Sequence, residues 1–338
     1  MKILVTGGAG FIGSAYVRAV LGGAFPAVAT ADVVVLDRLT YAGDLANLGP
    51  HRSSDRLEVV VGDVCDAGLV DEVVAGVDAV VHFAAESHVD RSIAGGAEFV
   101  RTNVLGTQTL LEAAVRRGVD RFVHVSTDEV YGSIDVGSWP ETHPLEPNSP
   151  YAASKAGSDL MARAYARTHG LDVRVTRCSN NYGPHQFPEK VIPLFVTTLL
   201  DGGSVPLYGD GGNVRDWLHV DDHCRGIQRV LEDGRPGEVY NIGGGTELTN
   251  LELTGLLLEA CGADWSRVRR VPDRLGHDRR YSVDWTKIRD ELGYAPQVPF
   301  AEGLAATVQW YRDNRAWWEA ARERLRAGDG VPAPAPAP

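Results

Sequence analysis

The chain has 338 residues, 44% of them hydrophobic, enough to bury the core of one large domain or two smaller ones. Its 45 acidic against 33 basic side chains give a net charge of -12, which excludes the basic footprint of a general nucleic-acid binder and requires locally placed arginines for any anionic ligand. No apolar run reaches membrane length, and the scattered Cys65, Cys178, Cys224 and Cys261 form no C-x-x-C pair, so the expectation is a cytoplasmic protein with free thiols, no membrane segment and no metal site.

The first β-rich run is "KILVT" (2–6), and "TGGAGFIG" (6–13) follows it and opens a helix. Gly8, Gly10 and Gly13 fit G-x-G-x-x-G, and Gly7, Gly10 and Gly13 fit the wider G-x-x-G-x-x-G. Either spacing brings backbone close to a pyrophosphate at a helix N-terminus, where unpaired N–H groups favour anions. The second run, "VVVLD" (33–37), ends in Asp37, an acid placed to accept from ribose hydroxyls and to repel a 2′-phosphate, which favours NAD over NADP. Arg38 beside it could soften that discrimination. Further runs are "LEVVVGD" (57–63), ending in Asp63, then "AVVHFAA" (79–85), "RFVHVST" (121–127) and "LDVRVTRC" (171–178), with helical patterns at 98–117 and 151–169. Near-continuous apolar strands alternating with helices predict an α/β fold, a Rossmann-type doubly wound parallel sheet with both faces covered. A later run, "EVYNIGG" (238–244), is expected to join that sheet.

After Asn180 the loops lengthen and the alternation stops, which predicts a smaller C-terminal substrate-binding domain. The expected division is 1–180 with about 220–246 for the cofactor, and about 181–219 with 247–328 for the substrate. A single helix over 300–326 closes the second unit, and the Pro/Ala-rich 329–338 reads as a disordered tail.

"YAASK" places Tyr151 and Lys155 on one helical face, where a nearby ammonium would lower the phenol pKa and make a base for a sugar hydroxyl. Thr127 ends a strand and adds a hydroxyl to this group. Asp128 and Glu129 follow at once; on residue type alone they fit either an acidic cap on the next segment or a pair of acid–base groups. His82, His88, His124, His219 and His223 have no metal-ligand spacing.

Taken together, "TGGAGFIGS", "LDRLTYAG", "HFAAESHVDRSI", "STDEVYG", "YAASKAGSD", "SNNYGP", "FPEKVIP", "NVRDWLHV" and "DRLGHDRRY" resemble the extended short-chain dehydrogenase/reductases. More narrowly, the chain is similar over about 1–325 to NAD-dependent nucleotide-sugar 4,6-dehydratases of the dTDP-glucose type. The resemblance implies oxidation at C4 through Thr127, Tyr151 and Lys155, with Glu129 as the base at C5 and Asp128 as the acid at the C6 oxygen. It implies NAD contacts from Gly7, Gly10, Phe11, Ile12, Gly13, Asp37, Leu39, Thr40, Asp63, Val64, Phe83, Ala84, Ala85, Thr102, Tyr151, Lys155 and Asn181. It implies substrate contacts from Ser87, Thr127, Asn180, Lys190, Val191, Pro206, Leu207, Tyr208, Arg215, Asn250, Arg274 and His277. It also implies a homodimer through the helices near 98–117 and 151–169. A UDP-hexose 4-epimerase, a dehydratase for a UDP- or GDP-hexose, and a non-catalytic NAD-binding scaffold are the alternatives.

Overall fold

The computed structural model describes residues 1–273 and 276–327. Its strands are β1 (Lys2–Thr6), β2 (Asp32–Asp37), β3 (Leu57–Val61), β4 (Ala79–His82), β5 (Arg121–Thr127), β6 (Val173–Cys178), β7 (Asn180–Tyr182), β8 (Val205–Tyr208), β9 (Val214–His219), β10 (Val239–Ile242), β11 (Glu247–Thr249) and β12 (Val268–Val271). Seven form one parallel sheet in the order β10-β6-β5-β4-β1-β2-β3. A three-stranded sheet, β11-β9-β7, and a two-stranded one, β12-β8, belong to the later part of the chain. The architecture is thus α/β with a Rossmann-type sheet and smaller sheets beside it.

The helices are α1 (Phe11–Leu21), α2 (Ala67–Val74), α3 (Val89–Ala94), α4 (Ala97–Phe99), α5 (Gly106–Arg117), α6 (Pro150–His169), α7 (Val191–Leu200), α8 (Val220–Asp233), α9 (Asn250–Cys261), α10 (Thr286–Leu292), α11 (Phe300–Asp313) and α12 (Arg315–Ala327). Strand alternation explains the two-sided core. Ile3, Val5, Val33 and Val35 pack with Tyr16 and Val20 of α1 and Ile227 and Val230 of α8. Leu4, Val34 and Leu36 point the other way, to Val70 and Val74 of α2, Leu110 and Ala113 of α5 and Ala162 of α6. A third cluster, with Tyr182, Trp217, Leu257, Tyr311 and Trp318, supports the smaller sheets.

Several elements differ from the sequence expectation. The run at 79–85 stops pairing at His82, because Phe83–Ala85 leave the ladder to meet the glycine loop; the Ala84 N–H donates to Thr6 Oγ1 at 3.3 Å. The runs at 57–63, 171–178 and 238–244 are likewise trimmed, to Leu57–Val61, Val173–Cys178 and Val239–Ile242. The pattern at 98–117 is interrupted by a π-helical turn over Val100–Leu105, where the Thr107 hydroxyl donates to the Asn103 carbonyl at 2.6 Å. The pattern at 300–326 breaks into α11 and α12 at Asn314, whose side chain and backbone N–H both take the Trp310 carbonyl, at 2.8 and 2.9 Å. The break lets Trp318 turn inward and donate from its indole to the Tyr311 carbonyl at 2.8 Å.

One polar network crosses this core. Arg177 and Asp159 are both fully buried, 0% exposed, and form a two-point pair, Nε to Oδ2 at 2.8 Å and Nη2 to Oδ1 at 3.0 Å. Arg177 also donates to the Tyr131 hydroxyl at 2.7 Å, which donates to Asn241 Oδ1 at 2.9 Å. Removing one partner of such a pair leaves an uncompensated buried charge, whereas an exposed pair contributes little. Asp159→Ala is expected to lower unfolding free energy by about 3–5 kcal/mol in urea titration, and Asp71→Ala, beside the half-exposed Arg116 and Arg117, by far less.

Candidate active site

The carboxyl ends of β1, β2, β4, β5 and β6 converge on a cavity of about 320 Å³. The glycine loop forms its floor. Gly7 has φ +68°, and a Cβ there would lie 2.7 Å from the Ala84 nitrogen; a Cβ at Gly13 would lie 2.2 Å from the Gly7 carbonyl oxygen. The backbone therefore forbids a side chain at Gly7 and Gly13; Gly8 is crowded by the Val35 side chain, 2.7 Å from a Cβ there, and Gly10 would meet only the Gly7 carbonyl oxygen at 3.3 Å. Gly10 caps α1 from an extended conformation, and the first N–H groups of the helix face the cavity with Phe11 and Ile12. Side-chain-free floor and helix N-terminus together fit a dinucleotide pyrophosphate.

Asp37 lies at the adjoining rim and holds the loop as well: Oδ2 accepts from the Ala9 N–H at 2.9 Å and Oδ1 from the Leu39 N–H at 2.8 Å. Burial pushes its carboxyl up, against the pull of these two donors. Thr40, Asp63, Val64, Phe83, Ala84, Ala85 and Thr102 continue the wall. Arg38 also lines it, but donates to Glu98 Oε1 at 2.9 Å. Leu39 does not line the cavity; its φ of +53° turns it out of line, and it contributes the N–H to Asp37.

Thr127, Asp128, Glu129, Tyr151 and Lys155 meet at the end of β5. Ser149 caps α6 by accepting from the Ala152 N–H at 3.1 Å, and Pro150 takes the first helical position, so Tyr151 and Lys155 stand one turn apart where the helix begins. Lys155 Nζ donates to the Val125 carbonyl at 2.8 Å, and burial lowers its pKa to about 8. The expectation that the ammonium draws the Tyr151 phenol down is corrected. Burial and the Glu129 carboxylate push the phenol well above its usual range, opposed by a hydrogen bond with Thr127.

The Thr127 hydroxyl donates to Asp128 Oδ1 at 3.2 Å and accepts from the Glu129 N–H at 3.3 Å. Asp128 is buried, and its Oδ2 has no hydrogen-bond partner among the described residues. Burial, then Glu129, then Asp216 raise its pKa well above the carboxylate range. A carboxyl whose burial favours its neutral form thus sits beside the half-buried Glu129, an arrangement suited to proton donation and removal.

Asn180, Asn181, Ser87 and Lys190 also line the cavity. Asn180 Oδ1 is buried without a partner among the described residues, whereas the Asn181 amide is tied to the Ser179 carbonyl at 2.9 Å and to His223 Nδ1 at 2.9 Å. Lys190 Nζ donates to the Ser87 carbonyl at 2.6 Å. Val191, Pro206, Leu207, Tyr208, Arg215, Asn250 and His277 lie outside the cavity lining, and Arg274 lies outside the described residues. Several of them gather on the loop after β12. Tyr208 packs edge-on to His277 with ring centroids 6.3 Å apart, and Arg215 donates to the Asp278 carbonyl at 3.0 Å with its guanidinium carbon 4.2 Å from the Tyr281 ring centroid. Asn250 donates from its backbone to the Asn213 carbonyl at 2.9 Å, and Asn213 Nδ2 donates to the same Asp278 carbonyl at 3.2 Å. The Leu207 side chain is buried against Gly211.

Sequence reasoning passed over Ser126, Glu86, Gln186, Phe187 and Glu189, all of which line the cavity. Ser126, Glu86, Phe187 and Glu189 lay inside motifs already singled out; Gln186 carried no signal. Among the described residues, no group of three or more His, Cys, Asp or Glu side chains is arranged for a metal, and no helix is long and apolar enough to cross a membrane.

The family model for GDP-mannose 4,6 dehydratase matches residues 4–307. The chain is 65% identical to the dTDP-glucose 4,6-dehydratase of Streptomyces niveus over 319 residues, 94% of this chain and 95% of that protein. Among solved structures it is similar to DesIV, a dTDP-glucose 4,6-dehydratase from Streptomyces venezuelae crystallised with NAD bound, at 69% identity and a TM-score of 0.94, covering 95% of this chain and 100% of that one. It is also similar to a UDP-glucose 4-epimerase from Thermotoga maritima, at 34% identity and a TM-score of 0.86, over 93% of this chain and 100% of that one. A match across this much of the sequence, on a site with the same glycine loop, tyrosine helix and acid pair that the motifs marked, shows that the chain belongs to the GDP-mannose 4,6 dehydratase family.

Proposed function

We propose that this chain converts dTDP-glucose to dTDP-4-keto-6-deoxyglucose and water, with NAD as a resident cofactor. The observation that carries this reading is the placement of Asp128, its pKa raised by burial, and Glu129 in one cavity with Tyr151 and Lys155. Relatives named dTDP-glucose 4,6-dehydratase support the choice of sugar nucleotide.

Bound NAD supplies an acceptor for the hydride of sugar C4 and later a hydride donor for C6. Tyr151, hydrogen-bonded to Thr127, would act as the phenolate, with the Lys155 ammonium and the positive charge of bound NAD offsetting the burial that raises its pKa, and take the proton of the C4 hydroxyl as that hydride departs. Lys155 fixes the start of α6 against β5 and presents a cation below the phenol's helix turn. The C4 ketone acidifies C5–H, and Glu129 removes that proton. Asp128 gives its proton to the C6 oxygen, the C6–O bond breaks and water leaves. Glu129, having exchanged its proton with solvent, protonates C5 as hydride arrives at C6, and the proton taken by Tyr151 replaces the one that Asp128 gave up. The sum is dehydration with no net redox change.

In this reading residues 1–180 with about 220–246 hold the cofactor, and about 181–219 with 247–328 hold the nucleotide. Tyr208, Arg215, Asn250 and His277 serve the dTDP moiety, Arg215 being suited to a phosphate by its planar fork. The free cysteines accord with a cytoplasmic setting. Val100, Leu105 and Leu160 are large apolar residues 57%, 48% and 53% exposed on the helical segments around α5 and α6, which supports a homodimer through that face.

Proton NMR of the reaction with dTDP-glucose in D₂O, with NADH absorbance followed in parallel, tests the function: a 4-keto-6-deoxy product deuterated at C5 without net NADH is expected. Glu129→Gln should slow product formation about 10²–10⁴-fold while NADH absorbance still builds on mixing; parental turnover refutes its role as the base.

Asp128 also makes a stability prediction. Its folded pKa is raised, so it contributes most below the unfolded carboxyl pKa of about 3.9 and loses that contribution as pH rises through the folded value. Asp128→Asn has no such proton to lose. The variant's thermal midpoint should therefore gain on the parent's as pH rises above about 4, and a pH-independent difference counts against a protonated Asp128.

Val100→Asp combined with Leu160→Asp should convert a dimer into a monomer in analytical ultracentrifugation; a parental protein that sediments as a monomer removes the dimer reading.

A further inference from the structure

The cofactor cavity has two rims that come from distant parts of the chain. Thr40, Ala42 and Gly43, after β2, form one; Phe187, Glu189 and Lys190, before α7, form the other. Tyr41 joins them from behind. It is buried, its hydroxyl donates to Glu189 Oε1 at 3.0 Å, and its ring meets Phe187 edge-on with centroids 5.4 Å apart. A third segment closes on the same carboxylate: Arg91 of α3 places its guanidinium carbon 3.3 Å from the Tyr41 ring centroid and its Nη2 3.3 Å from Glu189 Oε2. His88 Nε2 lies 3.9 Å from that oxygen.

The join is backed by the last helix. Ala321 and Leu325 of α12 pack with Tyr41 and Phe187, and Arg324 Nη2 lies 3.0 Å from Asp44 Oδ2. The Trp317 indole donates to Asn47 Oδ1 at 2.9 Å. Tyr41, Arg91 and Glu189 are absent from the acid–base group at the end of β5, so their burial serves another purpose. Charge-assisted hydrogen bonds away from water are strong and directional, and they hold only while both rims stay together.

We propose that Tyr41, Glu189 and Arg91 form a clasp across the two rims that retains the dinucleotide throughout the reaction, so that opening of the clasp sets the rate of cofactor exchange. The inference rests on the reading of the cavity as an NAD site. It fits the chemistry, because a hydride taken in the first step must be available in the last. Tyr41, Glu189 and Arg91 are positioning residues in this role, acting on the rims.

The test is cofactor exchange, measured without substrate. Holoenzyme carrying radiolabelled NAD is diluted into excess unlabelled NAD, and retained label is followed by rapid filtration. Tyr41→Phe keeps the ring beneath Arg91 and removes only the hydroxyl. It should release label about tenfold faster or more, the scale of a lost hydrogen bond to a charged partner. Glu189→Gln keeps an acceptor oxygen and reads the same step independently. Both variants act on one interaction, so the double variant should release label less fast than the two effects multiplied together. Parental release rates in both single variants, or fully multiplicative effects, overturn the clasp. A parental protein that holds no labelled NAD overturns the cofactor reading and the clasp with it.

Discussion

Everything at the site hangs on a guanidinium that water does not reach. Arg177, at the end of β6, is held by Asp159 on α6 and by the Tyr131 hydroxyl just beyond the acid pair. Tyr131 passes the interaction to Asn241 on β10, whose N–H donates to Glu141 at 2.9 Å. A buried charge tolerates few arrangements, since each alternative leaves a donor unpaired. Asp159 must therefore sit over Arg177, which fixes Tyr151 about two turns earlier on the same helix. Tyr131 must reach Arg177, which fixes the turn carrying Asp128 and Glu129. The pair specifies the relation between the two halves of the catalytic group.

That rigidity matters because the site it carries is electrostatically unfavourable. Asp128 is buried against Glu129 and Asp216, Tyr151 is buried facing Glu129, and the Lys155 ammonium is weakened by the same burial. Left to relax, these groups would separate or take up water. Perturbation of several titratable groups in one cleft is how folded chains keep acids and bases ready for proton transfer. Such tension has to be balanced by packing elsewhere, and the two apolar layers around the parallel sheet supply it.

Much of this was legible in the sequence, and for identifiable reasons. Apolar runs such as 33–37 and 121–127 read as strands covered on both faces, and the glycine loop was legible from its place between a strand and a helix, though spacing left Gly7 and Gly8 as alternatives. Tyr151 and Lys155 were readable as one helical face. The failures share a physical cause, contact with something distant in sequence. Strand β4 stops at His82 because Phe83–Ala85 must meet Gly7, and the last helix breaks at Asn314, which takes the Trp310 carbonyl while the Trp318 indole turns back to the Tyr311 carbonyl. Leu39 carried the right motif but the wrong backbone, a positive φ that spacing does not reveal. The Tyr151 pKa was misjudged because a one-turn spacing says where two side chains point and nothing of how deeply the phenol is buried or which carboxylate faces it. Glu189 and Tyr41 were quoted within motifs yet left without a role, since a hydrogen bond between segments 148 residues apart leaves no local trace.

The arrangement also separates what the fold decides from what individual residues decide. The sheet order, with its reversal between β1 and β4, makes a crevice for a dinucleotide, and the start of α6 supplies a phenol at the crevice; these suit any chemistry that removes and returns a hydride. In the proposed reading the chemistry after hydride removal is set by two positions beyond Thr127. A carboxyl whose burial favours its neutral form, beside a second carboxyl, would strip a proton from one carbon and protonate an oxygen on the next. Fold-level likeness therefore reaches only as far as hydride transfer. In the proposed reading the distinction between inverting a centre and eliminating water rests on this acid pair: burial and the neighbouring Glu129 push Asp128, hydrogen-bonded by Thr127, above the range of an exposed aspartate.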